Sequence, residues 1–361
     1  MSLRPVERLV TSRRLIEGNG AIVYRSLGIF KLRYWDPILF FDHFIVHGNK
    51  GFQAHPHIGH ETITYVLDGA VAHEDFTGAK GILYPGDLQF MTAGKGIVHS
   101  EMPVTGKDGS PSSGLQIWVD LPADARRIDP GYRDLPEWET PVVESPDGKV
   151  SVRVVSGKSY GVENVRQLAY IPVDFYHFTV KPGGEFKQEL KKDYNYILYV
   201  IRGNSLELNG KDKVVQHQNA LLKPHGGDFI AGKNLATEAG DDVEFALIGG
   251  TILDQETHNL ETMVGSTEVD VRKGIVDYVL KRNSFEKLNN WESLISDGVT
   301  EEMIQGPLNG RLEVREARKK AYIENLKKEA EAEAKAESGV GKEEVKPQAY
   351  LKEPKKEQLV A

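Results

Sequence analysis

Residues 55–69 read HPHIGHETITYVLDG, and residues 84–103 read YPGDLQFMTAGKGIVHSEMP. Apolar and polar residues alternate in short runs (ETITYVLD, GDLQFM, GIVHSEM) broken by Gly and Pro, the pattern of brief half-buried strands joined by tight turns. Within these runs, His55-Pro56-His57 and His99-Ser100-Glu101 are two pairs of metal-binding side chains, each pair separated by one residue. In a strand, side chains i and i+2 leave the same face, so each pair can direct two donors into one barrel interior. The tight turn Tyr84-Pro85-Gly86-Asp87 lies between the pairs and brings a returning strand alongside its predecessor. Two such strands side by side would make one four-ligand pocket.

Outward from this stretch the same texture continues. From Ala21 to about Asp120 the runs LFFDHF, ETITYVLDG, GILYPGDLQFM, GIVHSEM and GLQIWVDL predict a sandwich or barrel. The Pro- and charge-rich stretch LPADARRIDPGYRDLPEWETP reads as a connection, with a boundary near Trp138. Strand-like runs resume with VSVRVVSG, FYHFTVKPGGEF, YILYVIRGN and VEFALIGGTIL. Turns are predicted at Pro182-Gly183-Gly184, Gly203-Asn204 and Asn209-Gly210. The shared order of strand and turn signals, YVLDG and then YVIRGN, suggests a distant internal duplication. Ile275, Val276, Val279 and Leu280 stand at helical spacing and predict one amphipathic helix that closes the folded part near Trp291. After Asn309 a Glu/Lys/Ala-rich run reads as a solvated helix followed by a disordered tail. The expected organisation is an all-β chain with a metal-binding domain over 1–138, a second β domain over 139–295 and a charged tail over 296–361.

Composition removes several classes of function. With no cysteine among 361 residues, disulfides, thiolate metal sites and cysteine nucleophiles are excluded, and any metal must rest on His and carboxylate. A net charge of −8 without a basic patch in the globular stretches argues against direct nucleic-acid binding. No run approaches the roughly 20 apolar residues of a membrane span, and MSLRPVERLV lacks the apolar region of a signal peptide. These features predict a soluble intracellular protein, in cytoplasm, nucleus or both. Lys319-Lys320 and Lys355-Lys356 are too short and too diluted by acid to predict nuclear import.

A lone His-x-His is weak evidence, because histidines on a strand face commonly serve as packed or hydrogen-bonded residues. The second pair in register is what favours metal. Counting by twos from His55 puts His57, Gly59 and Glu61 on one face, so Glu61 competes with Glu101 for the fourth position and spacing does not choose between them. His60 has the opposite parity and is expected to face away, while His43, His47 and His73 sit in turn-like contexts and are not assigned to metal. Three neutral imidazoles and one carboxylate suit a borderline divalent ion. Octahedral coordination would leave two adjacent positions open, as in non-haem iron oxygenases. Fe(II) is the first choice, and the same ligands could hold Zn, Mn, Ni or Cu. One carboxylate leaves a formal site charge of about +1, which favours an anionic oxygen ligand such as a phenolate or enolate. A purely structural metal is disfavoured, since such sites close their shell with four tetrahedral ligands.

The stretches HPHIGHETITYVLDGAVAHEDFTGAKG, YPGDLQFMTAGKGIVHSEMP and GLQIWVDLP, and more weakly RNSFEKLNNWESLI, resemble the pirin family of the cupin superfamily over about Met1 to Ile295. The resemblance implies a bicupin of two jelly-roll-like β-barrels packed face to face. Iron would sit in the N-terminal barrel on His55, His57, His99 and Glu101, and the C-terminal barrel would be without metal. In the second unit Glu185-Phe186-Lys187-Gln188 offers no His-x-His, and His177, His217, His225 and His258 are scattered. One departure stands out: pirins usually carry Arg after the His-x-His, whereas this chain has Ile58. Strand parity turns that position from the metal, so the change is expected at a surface contact or the mouth of the pocket.

The resemblance further implies a quercetin 2,3-dioxygenase type of activity. The 3-hydroxyl of a flavonol would bind iron as its anion, Glu101 would accept the proton, and dioxygen would open the heterocycle with release of carbon monoxide. Phe52 and Phe90 are the candidate aromatic contacts. The other implied role is an iron-dependent, redox-sensing co-regulator that contacts transcription factors.

Overall fold

The computed structural model describes residues 1–106, 109–164 and 169–339. The last stretch of the expected tail, including Lys355-Lys356, lies outside the described residues. Alternation in the sequence becomes two-faced strands. In His60–Asp68, Ile63 and Tyr65 enter one apolar cluster, while Thr64 points to the other side, where it meets Glu101 and Gln116. That strand lies in a seven-stranded antiparallel sheet with the order Gly131–Leu135, Leu88–Thr92, His60–Asp68, Ser112–Asp120, Ile38–Val46, Ala21–Leu27, Arg13–Glu17. A four-stranded sheet, Phe52–His57, Ile97–Pro103, Val71–Asp75 and Lys80–Leu83, completes the N-terminal barrel.

The C-terminal barrel repeats this plan. Its larger sheet has eight strands, built on Tyr194–Arg202, Val243–Thr251, Val173–Val180 and Val150–Ser159, and its smaller one has four. The large sheets of the two barrels pack against each other. Phe41, Ile63, Tyr65, Leu88, Phe90, Leu115 and Ile117 meet Phe175, Ile197, Tyr199, Ala246 and Ile248 in one buried cluster. Each buried Leu, Ile or Phe contributes roughly 1.5–3 kcal/mol, so the barrels form one body. This is the two-barrel, face-to-face architecture expected of a bicupin.

The interiors differ in a way that decides where chemistry can occur. The C-terminal barrel is filled with apolar and aromatic side chains, among them Phe178, Tyr196, Leu198, Val200, Phe245 and Leu247. The N-terminal barrel holds Thr64, Gln89, His57, His99, Glu101 and Gln116, polar groups whose burial is costly unless they are partnered.

The chain ends cross between the barrels. Strand Val6–Thr11 pairs with Gln218–Leu222 of the C-terminal barrel, and the fully buried Arg4 donates to the carbonyls of Lys191, Tyr194 and Gly227. In return, Met263, Val271 and Phe285 pack on Ile58, Phe76, Met91, Ile97 and Val98 of the N-terminal barrel. Helix Glu268–Val279 starts at a capping box in which Thr267 and Asp270 exchange side-chain and backbone hydrogen bonds. Its buried stripe is Val271, Gly274, Ile275 and Tyr278, whereas Val276, Val279 and Leu280 of the expected stripe are exposed. Two interleaved apolar stripes were available on this helix, and the one nearer Ile58 is the one buried. The folded part also runs past the expected end near Ile295: Ile295 and Leu308 are buried with Ala72 and Met102, and Val299 and Met303 pack against them. From Arg311 a separate unit begins, whose helix Leu312–Gly339 exposes Leu312, Ile323 and Leu326. No described helix is long and apolar enough to cross a membrane.

Candidate metal centre

Strands Phe52–His57 and Ile97–Pro103 run antiparallel with His55 directly opposite His99. That register puts His55, His57 and His99 on one inward face, and a bulge between His99 and Glu101 brings Glu101 across from Phe52. On its other edge Glu101 pairs with His73. The ring centroids of His55, His57 and His99 lie 4.5–4.8 Å apart, and one nitrogen from each falls within 4.8 Å of the others. His99 Nε2 is 3.0 Å from His55 Nε2 and 3.8 Å from Glu101 Oε2. Among the described residues no other cluster of His and carboxylate groups meets in this way.

Outer partners meet the Nδ1 atoms of His55 and His57, whereas His99 Nδ1 has none. His55 Nδ1 lies 2.8 Å from the Gln53 carbonyl oxygen, which can only accept, so His55 presents Nε2 inward. His57 Nε2 is buried without a hydrogen-bond partner. Burial holds all three imidazoles neutral, and the pKa values of His57 and His99 fall well below the usual histidine range because neighbouring imidazoles add to desolvation. Neutral, inward-facing nitrogens are what a metal requires. Glu101 is buried and its pKa is raised by desolvation, with the hydrogen bond from Thr64 acting in the other direction. Thr64 Oγ1 is 3.0 Å from Glu101 Oε1, and Gln116 Nε2 donates to Glu101 Oε2 at 3.2 Å. The orphaned His57 nitrogen, the crowded imidazoles and the adjacent carboxylate fit a divalent cation, which His55, His57, His99 and Glu101 could hold.

The other candidates go elsewhere. Glu61 accepts from Thr92 Oγ1 at 2.6 Å and from the Tyr170 amide at 2.7 Å, away from the cluster. His60 does not face away: its Nε2 is 3.1 Å from His57 Nδ1, and its own Nδ1 donates to the Ile58 carbonyl at 2.9 Å. Both differences have one cause. Gly59 has φ +78° and ends the strand, so counting by twos across it gives the wrong face. His43 and His73 are buried on strands rather than placed in turns: His43 contacts the Tyr199 hydroxyl, and His73 lies 3.5 Å from Asp134. Burial opposes charge on His73, but Asp134 and neighbouring acids raise its pKa overall. In the C-terminal barrel, His177 meets Tyr65, His217 stacks on Tyr24, His225 bonds the Lys192 carbonyl and His258 lies beside Glu256.

Ile58 is 3% exposed and packs on Met263 and Val271, so it lies neither at the surface nor at a pocket mouth. A cleft of about 670 Å³ opens onto His55 and Glu101, walled by Phe40, Phe44, Phe52 and Trp118. Phe40 stacks on Trp118 at 4.1 Å, and Arg25 sits over the far face of this pair, 4.6 Å from the Phe40 ring. Phe52 therefore lies where an aromatic contact was expected. Phe90 does not: it faces the core between the barrels, because residues 88 and 90 share the outward parity of that strand. Thr64, Gln116 and Trp118 were not singled out from sequence, and His60 was named there only as a residue facing away. Polar residues at inward parity in otherwise apolar strands, as in ETITYV and LQIWV, were the available signal.

Comparison with known proteins agrees with this architecture. Residues 21–119 match the pirin family and residues 175–284 match the pirin C-terminal cupin domain. The chain is 35% identical to human pirin over 299 residues, covering 82% of this chain and 99% of that one. Among solved structures, a quercetin 2,3-dioxygenase from Acinetobacter baumannii superposes with TM-score 0.70 at 20% identity, covering 78% of this chain and 98% of that one. A bacterial pirin from Escherichia coli in complex with nickel(II) superposes with TM-score 0.53 at 19% identity, covering 68% and 98%. At those identities the two structures speak for the fold alone. Matched to the family along both barrels and 35% identical to human pirin over 82% of its length, the chain belongs to the pirin family.

Proposed function

We propose that this protein is a metal-dependent oxygenase of the quercetin 2,3-dioxygenase type, with His55, His57, His99 and Glu101 as metal ligands in the N-terminal domain, residues 1–138. The second domain, residues 139–295, serves as a metal-free partner barrel. The reading is carried by one observation: His55, His57 and His99 meet beside the buried carboxylate of Glu101, and His55 and Glu101 open onto a cleft walled by aromatic rings. Fe(II) is the first choice of metal, and the chemistry of the donors also suits Zn, Mn, Ni or Cu; the Escherichia coli pirin structure is a complex with nickel(II). When bound, the ion would supply Lewis acidity and a template for the substrate oxygen.

The chain's own groups do the rest. Glu101 is held by Thr64 and Gln116 with one oxygen toward His99, and its raised pKa suits a carboxylate that takes the proton of a substrate hydroxyl. Phe40, Phe44, Phe52 and Trp118 offer flat apolar surface to a polycyclic substrate of flavonol type and keep water from the carboxylate. The test is oxygen uptake by anaerobically Fe(II)-loaded protein given quercetin, with His57→Ala as control. Metal-dependent uptake with ring-cleaved product supports the reading, and no uptake at full iron occupancy rejects it.

A further inference from the structure

His57 is linked to a main-chain carbonyl through a second imidazole. We propose that His60 is a positioning residue that fixes the tautomer of His57, so that His57 Nε2 presents its lone pair to the cluster it forms with His55 and His99. The argument runs backward from the end of the chain of hydrogen bonds. The Ile58 carbonyl oxygen, 2.9 Å from His60 Nδ1, has no proton to give, so His60 carries its proton on Nδ1. In the neutral ring Nε2 is then the acceptor, and its partner at 3.1 Å, His57 Nδ1, must be the donor. This leaves His57 Nε2 unprotonated, which agrees with its being buried and without a partner.

The fold builds this contact deliberately. Gly59 at φ +78° folds the chain back so that residue 60 lies beneath residue 57, and a Cβ at 59 would stand 2.2 Å from the Val264 carbonyl oxygen. Trp118 seats both rings, with centroids 4.9 Å from His60 and 5.3 Å from His57. His60 is itself fully buried. His55 needs no such device, since its Nδ1 meets the Gln53 carbonyl directly. The consequence for metal binding rests on the proposed metal site; the tautomer does not.

Two measurements on the full chain test the two apart. Long-range nitrogen NMR of the metal-free protein reads which nitrogen of His57 bears the proton. The Nδ1–H form is expected in wild type, with a mixture of tautomers in His60→Phe; the Nε2–H form in wild type overturns the proposal. Titration with Co(II), followed by its ligand-field absorption, reads the consequence. His60→Phe should bind about 10–100-fold more weakly with an altered spectrum. His60→Gln, whose side-chain oxygen can accept from His57 Nδ1, should recover most of the affinity and the wild-type spectrum. Equal binding by wild type and His60→Phe overturns the proposal, as does equal loss in the Phe and Gln variants. A wild-type chain that shows the Nδ1–H tautomer but takes up no Co(II) upholds the relay and rejects the metal site.

Discussion

Gln116 donates through Nε2 to Glu101 Oε2 at 3.2 Å, and its own Oε1 lies 2.8 Å from the hydroxyl of Thr64, which also reaches Glu101 Oε1. The Thr64 hydroxyl has one proton for two acceptors. Gln116 therefore supplies Glu101 with a donor and competes with it for another. A buried carboxylate in this position keeps its charge only through such donors.

Replacing Gln116 with Leu removes the donor to Oε2 and releases the Thr64 proton wholly to Oε1. The carboxylate loses more than it gains, and its pKa should rise further. The expected result is metal affinity about tenfold weaker with stability changed by less than about 1 kcal/mol. Titration with Ni(II) and thermal unfolding of the same variant check both. Unchanged affinity would show that Gln116 does not support Glu101.

Ile58→Arg restores the residue that pirins usually carry after the His-x-His, yet here it should destabilise. Ile58 fits between Met263 and Val271, and its Cδ1 lies where a Cβ on Gly274 would stand, at 2.6 Å. A guanidinium there lacks room, and the carbonyl of residue 58 itself already takes the Val264 amide and His60. A loss of about 3 kcal/mol is expected from the missing apolar contact and the buried charge. Chemical denaturation within about 0.5 kcal/mol of wild type would show that the helix Glu268–Val279 yields easily at this point.

The two barrels and the pairing of the two His-containing strands were legible because alternation has a strict period of two, and a run such as ETITYVLD can satisfy it only as a strand. The same rule misplaced His60 and Glu61, since one glycine at φ +78° resets the parity and its conformation is not written in its name. Phe90 was misread for a related reason. Parity separates the two faces of Leu88–Thr92, but which face meets the other barrel depends on a partner surface about a hundred residues away, at Phe175, Ile197 and Tyr199. The crossing of the chain ends was hidden likewise: VERLVT is a plausible strand for either barrel, and only Arg4, buried against the carbonyls of Lys191, Tyr194 and Gly227, ties it to the second. Met303 lies in the five-residue helix Glu301–Gln305, too short for a periodic signal, and Leu308 follows it alone in polar sequence.

Tyr199→Phe tests the seam between the barrels. The Tyr199 hydroxyl lies 3.0 Å from His43 Nδ1 and 2.9 Å from His217 Nδ1, donating to one and accepting from the other. His43 is buried on the N-terminal strand Ile38–Val46, and burial lowers its pKa to about 3, so it cannot escape by charging. Without the hydroxyl its Nδ1 is left unpaired, at a cost of about 1–3 kcal/mol. Urea unfolding that matches wild type would mean that water enters the seam and replaces the phenol.

Metal uptake should be insensitive to pH across the range where ordinary histidine sites fail. Protons compete with metal for each imidazole, and three ligands with the usual pKa near 6.5 would be half protonated at that pH, costing roughly eightfold in affinity. In this protein burial lowers the pKa of His55, and burial with neighbouring imidazoles lowers those of His57 and His99 further. A lowered pKa moves proton competition to lower pH, so the native ligands stay free where unfolded histidines would already be charged. Glu101 acts in the opposite sense, since burial raises its pKa and brings its protonation nearer to neutrality, limiting the plateau from the acid side. Co(II) affinity should therefore be constant within about twofold between pH 8 and pH 6.5 and fall only in more acid solution. An eightfold loss by pH 6.5 would mean that these imidazoles titrate as in water.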